Sequence, residues 1–218
     1  MSATPLRIFT VGHSTRPFDE FVRILRAHGV EAVADVRLIP QSRKFPHFGS
    51  AFLAANLPGH GIAYLPFIQL GGRRKALANS PNTGWRNESF RGYADFMQTE
   101  AFRRAIEELM TAARERRTTT LCAEAVPWRC HRSLISDALL IRGCEVLDIM
   151  TAKKVTPHKL TRFARVDGTR ITYPASDDGD PSLFTMEAMC RRGDKPAAVR
   201  PRARQSLRPA TSSSPRRP

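Results

Sequence analysis

Three segments decide the fold: Arg7-Ile-Phe-Thr-Val-Gly12, then Pro17-Phe-Asp-Glu-Phe-Val-Arg-Ile-Leu25, then Glu31-Ala-Val-Ala-Asp-Val36. The first is a short apolar run ending at a glycine, the pattern of a buried strand. Pro17 near a first turn, with Asp19 and Glu20 at the positive end of the backbone dipole, opens a helix. Phe18, Phe21, Val22 and Leu25 share one face of it, and Gly29 stops it. The third segment is a second strand. Strand, helix and strand within about thirty residues form a βαβ unit, which requires parallel strands and a right-handed crossover.

The pattern continues outward. A short helix is expected at Ser50–Asn56 and a third strand at Ile62–Leu65. Residues 71–88 read as a long polar loop containing Gly71-Gly72-Arg73-Arg74-Lys75, and loops of that length inside a compact domain tend to be functional or mobile. Phe102, Ala105, Ile106, Leu109, Met110 and Ala113 mark the strongest helix. Thr118–Ala123 is a central strand, His131–Ile141 a helix stopped by Gly143, and Cys144–Ile149 a final strand. The fold class is therefore α/β, a mainly parallel sheet with helices on both faces in a Rossmann-like three-layer arrangement. Residues 1–166 are expected to form this domain and 167–190 a weakly ordered extension. Residues 191–218, dominated by Arg, Pro and Ser without apolar periodicity, are expected to form a disordered basic tail.

Net charge is +15 over 218 residues, of which +8 falls on 191–218 and +7 on the remainder. The surplus on the body suits nucleic acid or a phosphate-bearing small molecule, although frequent Arg also fits a high-GC genome. Four cysteines, Cys122, Cys130, Cys144 and Cys190, are too few for a disulfide scaffold. No signal-peptide pattern or membrane span is read, so a cytoplasmic, reducing setting with free thiols is expected. Oligomeric state and cofactor do not follow from the sequence.

Ligands of open α/β sheets bind beyond the carboxyl ends of the strands. That rule selects Gly12-His13-Ser14, Asp35-Val-Arg37 with the loop after it, and the segment from Cys122 to Arg132. The last is the densest: Cys122-Ala-Glu124-Ala-Val-Pro-Trp-Arg-Cys130-His131-Arg132. Cys130 is expected at a helix start, where unpaired N–H groups, Arg132 and a protonated His131 favour a thiolate. Glu124, just past a strand end, suits acid or base work. The plain alternatives are an inert core thiol at Cys122, a packing role for Cys130, a helix-start role for His131, and a structural Glu124 paired with Arg37 or Arg132. His13 is read as a phosphate ligand or general base, or as a loop-bonding residue; Asp35 with Arg37 as an acid and anion clamp, or as a satisfied pair. The loop adds Ser42, Arg43, Lys44 and His47, interleaved with Phe45 and Phe48, a mixture suited to bases and phosphates.

Two templates fail by spacing. A cysteine phosphatase loop places Arg six positions after Cys, and Trp128 stands there. A zinc deaminase needs a Cys-x-x-Cys pair, which is absent. A metal site assembled from Cys122, Cys130, His131 and His13 is conceivable, but their spacing matches no zinc motif, so no metal ligands are assigned.

Several motifs occur together in order: Val11-Gly-His-Ser14, Asp35-Val-Arg-x-x-Pro-x-Ser-Arg43, Leu70-Gly-Gly72, Arg91-Gly-Tyr-Ala94 with Phe96-Met97, and Cys122-Ala-Glu-x-x-Pro-x-x-Cys-His-Arg132. In this the sequence resembles the bacterial domain of unknown function 488 family, from about Ile8 to Ile149. The resemblance implies matching polar positions at His13, Ser14, Asp35, Arg37, Ser42, Arg43, Cys122, Glu124, Cys130, His131 and Arg132. It implies no settled activity. The resulting expectation is an enzyme acting on nucleic acid or a nucleotide-like substrate. Glu124, Cys130, His131 and Cys122 would be its catalytic groups, and His13, Ser14, Asp35, Arg37, Ser42, Arg43 and Arg132 its substrate contacts. The rivals are a non-catalytic nucleic-acid-binding or regulatory module and a metal-binding protein.

Overall fold

The computed structural model describes residues 4–175. The chain runs β1 (Arg7–Gly12), α1 (Phe18–Ala27), β2 (Ala32–Asp35), α2 (Ser50–Asn56), β3 (Ala63–Pro66), α3 (Glu88–Phe96), α4 (Glu100–Glu115), β4 (Thr118–Cys122), α5 (Arg132–Leu140), β5 (Glu145–Thr151), β6 (Lys154–Pro157), β7 (Arg165–Asp167) and β8 (Arg170–Thr172). Six strands form one sheet in the order β3-β2-β4-β1-β5-β6, and β7 pairs with β8 in a small hairpin. Within the large sheet β6 alone is antiparallel to its neighbour. The α/β class with a mostly parallel sheet is thus correct.

Alternation along the strands feeds two cores, because successive side chains point to opposite faces. Phe9, Val11, Val33 and Leu121 pack with Phe21 and Leu25 of α1 and with Leu53 of α2. Ile8, Ala34 and Cys122 pack on the other face with Tyr93 of α3, Ile106 and Leu109 of α4, and Leu134 and Ile135 of α5. Registers bring the strand ends level: Gly12 stands opposite Cys122, and Asp35 opposite Leu121. This edge is where β1, β2 and β4 deliver their following loops.

Three elements differ from the sequence reading. Helix α3 falls where only a motif was recognised. Asn87 caps it by accepting from the backbone N–H groups of Ser89 and Phe90, but mid-helix Gly92 interrupts the helical pattern. The strand expected at Cys144–Ile149 runs on to Thr151 and is not the last, since β6 returns alongside it. The chain also stays packed beyond residue 166, a boundary that falls inside β7. Tyr173 is fully buried; its hydroxyl donates to Asp137 and its backbone N–H to Asn82. The expected tail at 191–218, most of the expected extension, and Cys190 lie outside the described residues. Among the described residues no helix is long and apolar enough to cross a membrane.

Candidate active site

A cavity of about 610 Å³ opens at the level strand ends. Its wall includes His13, Ser14, Arg37, Ser42, Cys122, Glu124 and His131, seven of the eleven residues singled out from the sequence. The loop after β2 adds Lys44 and Phe45, and the 71–88 loop adds Gly72 and Arg73. The sequence marks Gly72 as part of the Leu70-Gly-Gly72 motif and Arg73 as part of a long polar loop, but neither as a site residue. Their position depends on that loop folding back across the sheet edge, which no local pattern reveals.

The floor is formed by sulfur and imidazole. Cys122 ends β4, and Cys130 and His131 precede α5. His131 Nδ1 lies 3.9 Å from Cys122 Sγ and 3.8 Å from Cys130 Sγ. Its other nitrogen, Nε2, is 3.0 Å from the carbonyl oxygen of Val36. A carbonyl only accepts, so Nε2 carries the proton and Nδ1 turns a lone pair toward the two sulfurs. The ring is held from above by Gly72: a Cβ there would stand 2.9 Å from Nδ1, so only glycine allows this approach. Tyr93, fully buried, packs its ring 5.0 Å from the His131 ring and donates to the carbonyl of Leu70.

Cys130, expected at a helix start, stands just ahead of α5 and outside it. It is 3 % exposed and is not part of the cavity wall. Its carbonyl instead accepts from the backbone N–H and hydroxyl of Ser133, which anchors the helix start. Its thiol is nevertheless lowered to about 7: the Cys122 S–H donates to it, burial opposes, and the charge and N–H groups of Arg132 assist. Sharing that proton pushes Cys122 the other way, as does its burial.

Arg132 is 1 % exposed and does not reach the cavity wall. It donates to Thr10 Oγ1 and to the carbonyls of Glu124 and Ala125, so it pairs with the Glu124 backbone and not with its carboxylate. Its Nε has no hydrogen-bond partner. The fit of this turn against β1 is close: a Cβ on Gly12 would lie 1.7 Å from the Glu124 carbonyl oxygen. The Glu124 side chain is left exposed at the rim.

Asp35 and Arg37 form the satisfied pair. Arg37 Nε and Nη2 donate to the two carboxylate oxygens at 2.8 and 2.5 Å, and Tyr64 donates to the same carboxylate at 2.9 Å. Burial works against the Arg37 charge, but the hydrogen bonds and charge of Asp35 outweigh it and raise its pKa. Asp35 is therefore spent on holding Arg37, whose Nη1 faces His13 Nε2 at 3.4 Å. His13 Nδ1 meets the carbonyl of Ser14 at 2.9 Å, and burial lowers its pKa to about 4, so it is a neutral ring stacked on Phe48. His13 stands apart from the sulfur cluster; the metal-capable group among the described residues is Cys122, Cys130 and His131. Ser42 Oγ accepts from the Phe45 N–H and keeps its own proton for the cavity. Arg43 is exposed and outside the wall. Among the described residues Ser14 and Arg73 are the two non-glycine residues with positive φ, at 53° and 59°, and both line the cavity. Such backbone costs free energy and gathers at functional sites.

A doubly covered, mostly parallel sheet with a cavity across its strand ends defines the class as a three-layer α/β protein. Within that class the chain belongs to the family described as Domain of unknown function DUF488, whose profile matches residues 17–139. No curated protein and no solved structure matches the chain.

Proposed function

We propose that this protein is an enzyme that binds a phosphate-bearing, nucleotide-like substrate in the strand-end cavity and acts on it with the Cys/His floor. The observation carrying this reading is the contrast in burial along one cavity wall. Lys44 and Arg73 line it as exposed cations, whereas Cys122 is buried and His131 half-buried. Lys44 and Arg73 neutralise phosphate oxygens, while Ser14 and Ser42 supply hydroxyl donors. Arg37, already balanced by Asp35, orients the ligand by its remaining N–H groups. Cys122 and His131 face the reacting centre, and Glu124 at the rim exchanges a proton with solvent. Cys130 and Arg132 hold the floor from below, and Arg43 contributes only to the field around the opening. The strained backbone of Ser14 and Arg73 supports a functional use of this wall over a packing one.

The test separates binding from turnover. Calorimetry with inorganic phosphate, nucleoside monophosphates and short oligonucleotides should give saturable binding. Lys44→Ala and Arg73→Ala should each weaken it by about tenfold, or about 1.4 kcal/mol. Mass spectrometry of the bound ligand after incubation should show conversion by the wild type and none by Glu124→Gln or Cys122→Ser. Binding with no conversion of any ligand would leave a non-catalytic module; no binding at all would remove the reading altogether.

A further inference from the structure

We propose that Cys122, Cys130 and His131 hold one zinc ion, with its fourth coordination position open to the strand-end cavity. The inference rests on the same site as the proposed function and names the cofactor of its reactive centre. Three donor atoms, two sulfurs and Nδ1, lie within 4.8 Å of one another. In tetrahedral zinc geometry, with Zn–S about 2.3 Å and Zn–N about 2.0–2.1 Å, the sulfur–nitrogen edges are about 3.6 Å. The two observed edges are 3.9 and 3.8 Å, so small side-chain rotations close them.

The surroundings match what a metal-bound histidine requires. A ligating imidazole normally donates its far N–H to a carbonyl or carboxylate, which fixes the tautomer. Here Nε2 meets the Val36 carbonyl and leaves Nδ1 free for a cation. Gly72 and Tyr93 hold the ring in that orientation from two other segments. Two thiolates and an imidazole are soft donors, which favour zinc over magnesium or calcium. The ligand spacing, Cys-x₇-Cys-His, matches no finger motif because the donors come from the end of β4 and the approach to α5. Space, not sequence interval, brings them together.

Three protein ligands with an open fourth place is the arrangement of a catalytic zinc, whereas structural sites are closed by four. Cys122 and His131 are part of the cavity wall and Cys130 lies behind it, so the opening faces the cavity. Binding is balanced by release of the two thiol protons to solvent as both sulfurs become thiolates. A water or a ligand oxygen would fill the open position.

The test uses the full chain. Protein isolated under reducing conditions and stripped with chelator should take up one zinc per chain. Cobalt in its place should give the near-ultraviolet thiolate-to-metal absorption of two sulfurs. Cys122→Ser and Cys130→Ser should each lose stoichiometric uptake, and Cys144→Ser should keep it. Because the serine variants can misfold, the wild type carries a second readout. Zinc should protect Cys122 and Cys130 from iodoacetamide and leave Cys144 and Cys190 labelled as before. No uptake by the wild type, uptake unchanged in both serine variants, or zinc-independent labelling of Cys122 and Cys130 would overturn the site. Phosphate binding by the metal-free protein is measured in parallel. If it persists without zinc uptake, the zinc fails alone; if both are absent, the proposed function fails too.

Discussion

His131 reaches across 95 positions of sequence to place its Nε2 3.0 Å from the carbonyl oxygen of Val36. This contact ties the end of β2 to the approach of α5 and sets which ring nitrogen faces the two cysteines. His131→Phe keeps an aromatic ring beneath Gly72 but cannot donate. The Val36 carbonyl then loses that partner, at a cost of about 1–2 kcal/mol. The urea midpoint should fall with an unchanged m-value, and an unchanged midpoint would show that the bond contributes nothing to folding.

Gly12 and the Glu124 carbonyl are a second pair under strict limits. A Cβ at Gly12 would stand 1.7 Å from that oxygen and 2.8 Å from Arg132 Nη2. Backbone cannot give way by that much without displacing the turn at 123–126 from the sheet edge. Gly12→Ala should destabilise by about 3 kcal/mol, the upper part of the overpacking range. Gly59→Ala, where a Cβ meets nothing, serves as its control in the same thermal melt. Equal melting temperatures would mean that the turn moves freely.

The site was legible in the sequence where chemistry lies next to a strand end. His13, Arg37, Cys122 and Glu124 each lie at or within two residues of the end of a strand with a clear apolar or β-branched run, and the strand-end rule gathers them. What was not legible depends on segments that meet only in space. Arg73 belongs to the wall because the 71–88 loop is pinned from elsewhere: Asp95 of α3 accepts from Leu77, Ser80 and Asn82. The burial of Cys130 was not legible either: a short 3₁₀ turn at Pro127–Arg129 leads into it, and only the packed chain puts its thiol behind the cavity wall. The β5–β6 return and the β7–β8 hairpin are short and mostly exposed, so they carry almost no periodic signal.

Tyr173 gives the closing of the described core a sharp test. Its ring packs 5.5 Å from Trp85 and 6.0 Å from Phe163, and its hydroxyl donates to the buried Asp137. A chain ending at Val166 loses this side chain and β8 and should lose about 3–5 kcal/mol, the cost of deleting a large buried aromatic. A chain ending at Ala175 should retain the melting temperature of the full protein. Equal melting temperatures for the two truncations would show that the core closes without Tyr173.

The charge distribution predicts a salt effect. Residues 191–218 carry +8, against +7 for the rest. If the protein binds oligonucleotides, removing 191–218 should flatten the fall of log affinity with log salt, since fewer counterions are released. Identical slopes for the two forms would place the contacts on the body, with Lys44 and Arg73 the first to test by alanine substitution.

His158 predicts how stability changes with pH. Its Nε2 lies 2.8 Å from Asp137 Oδ1, and its Nδ1 lies 3.7 Å from Asp148 Oδ2. Asp137 also accepts from Thr161 and Tyr173, so this one carboxylate joins α5 to the segment that follows β6. Burial opposes the imidazolium, but the hydrogen bonds and charges of the two carboxylates outweigh it and raise the pKa from 6.5 to about 9. The folded protein therefore holds this proton more tightly than the unfolded chain does. The stabilisation is complete below about pH 6.5, declines between 6.5 and 9, and is gone above 9; its size is about 3 kcal/mol at 1.36 kcal/mol per pH unit. Unfolding in urea at pH 6, 7.5, 9 and 10 should show the wild type losing stability across that window. His158→Gln should be weaker at pH 6 and change far less as pH rises, so that the two curves converge above pH 9. Parallel curves for the two proteins would mean that His158 enters the fold as a neutral ring and that Asp137 is held by Thr161 and Tyr173 alone.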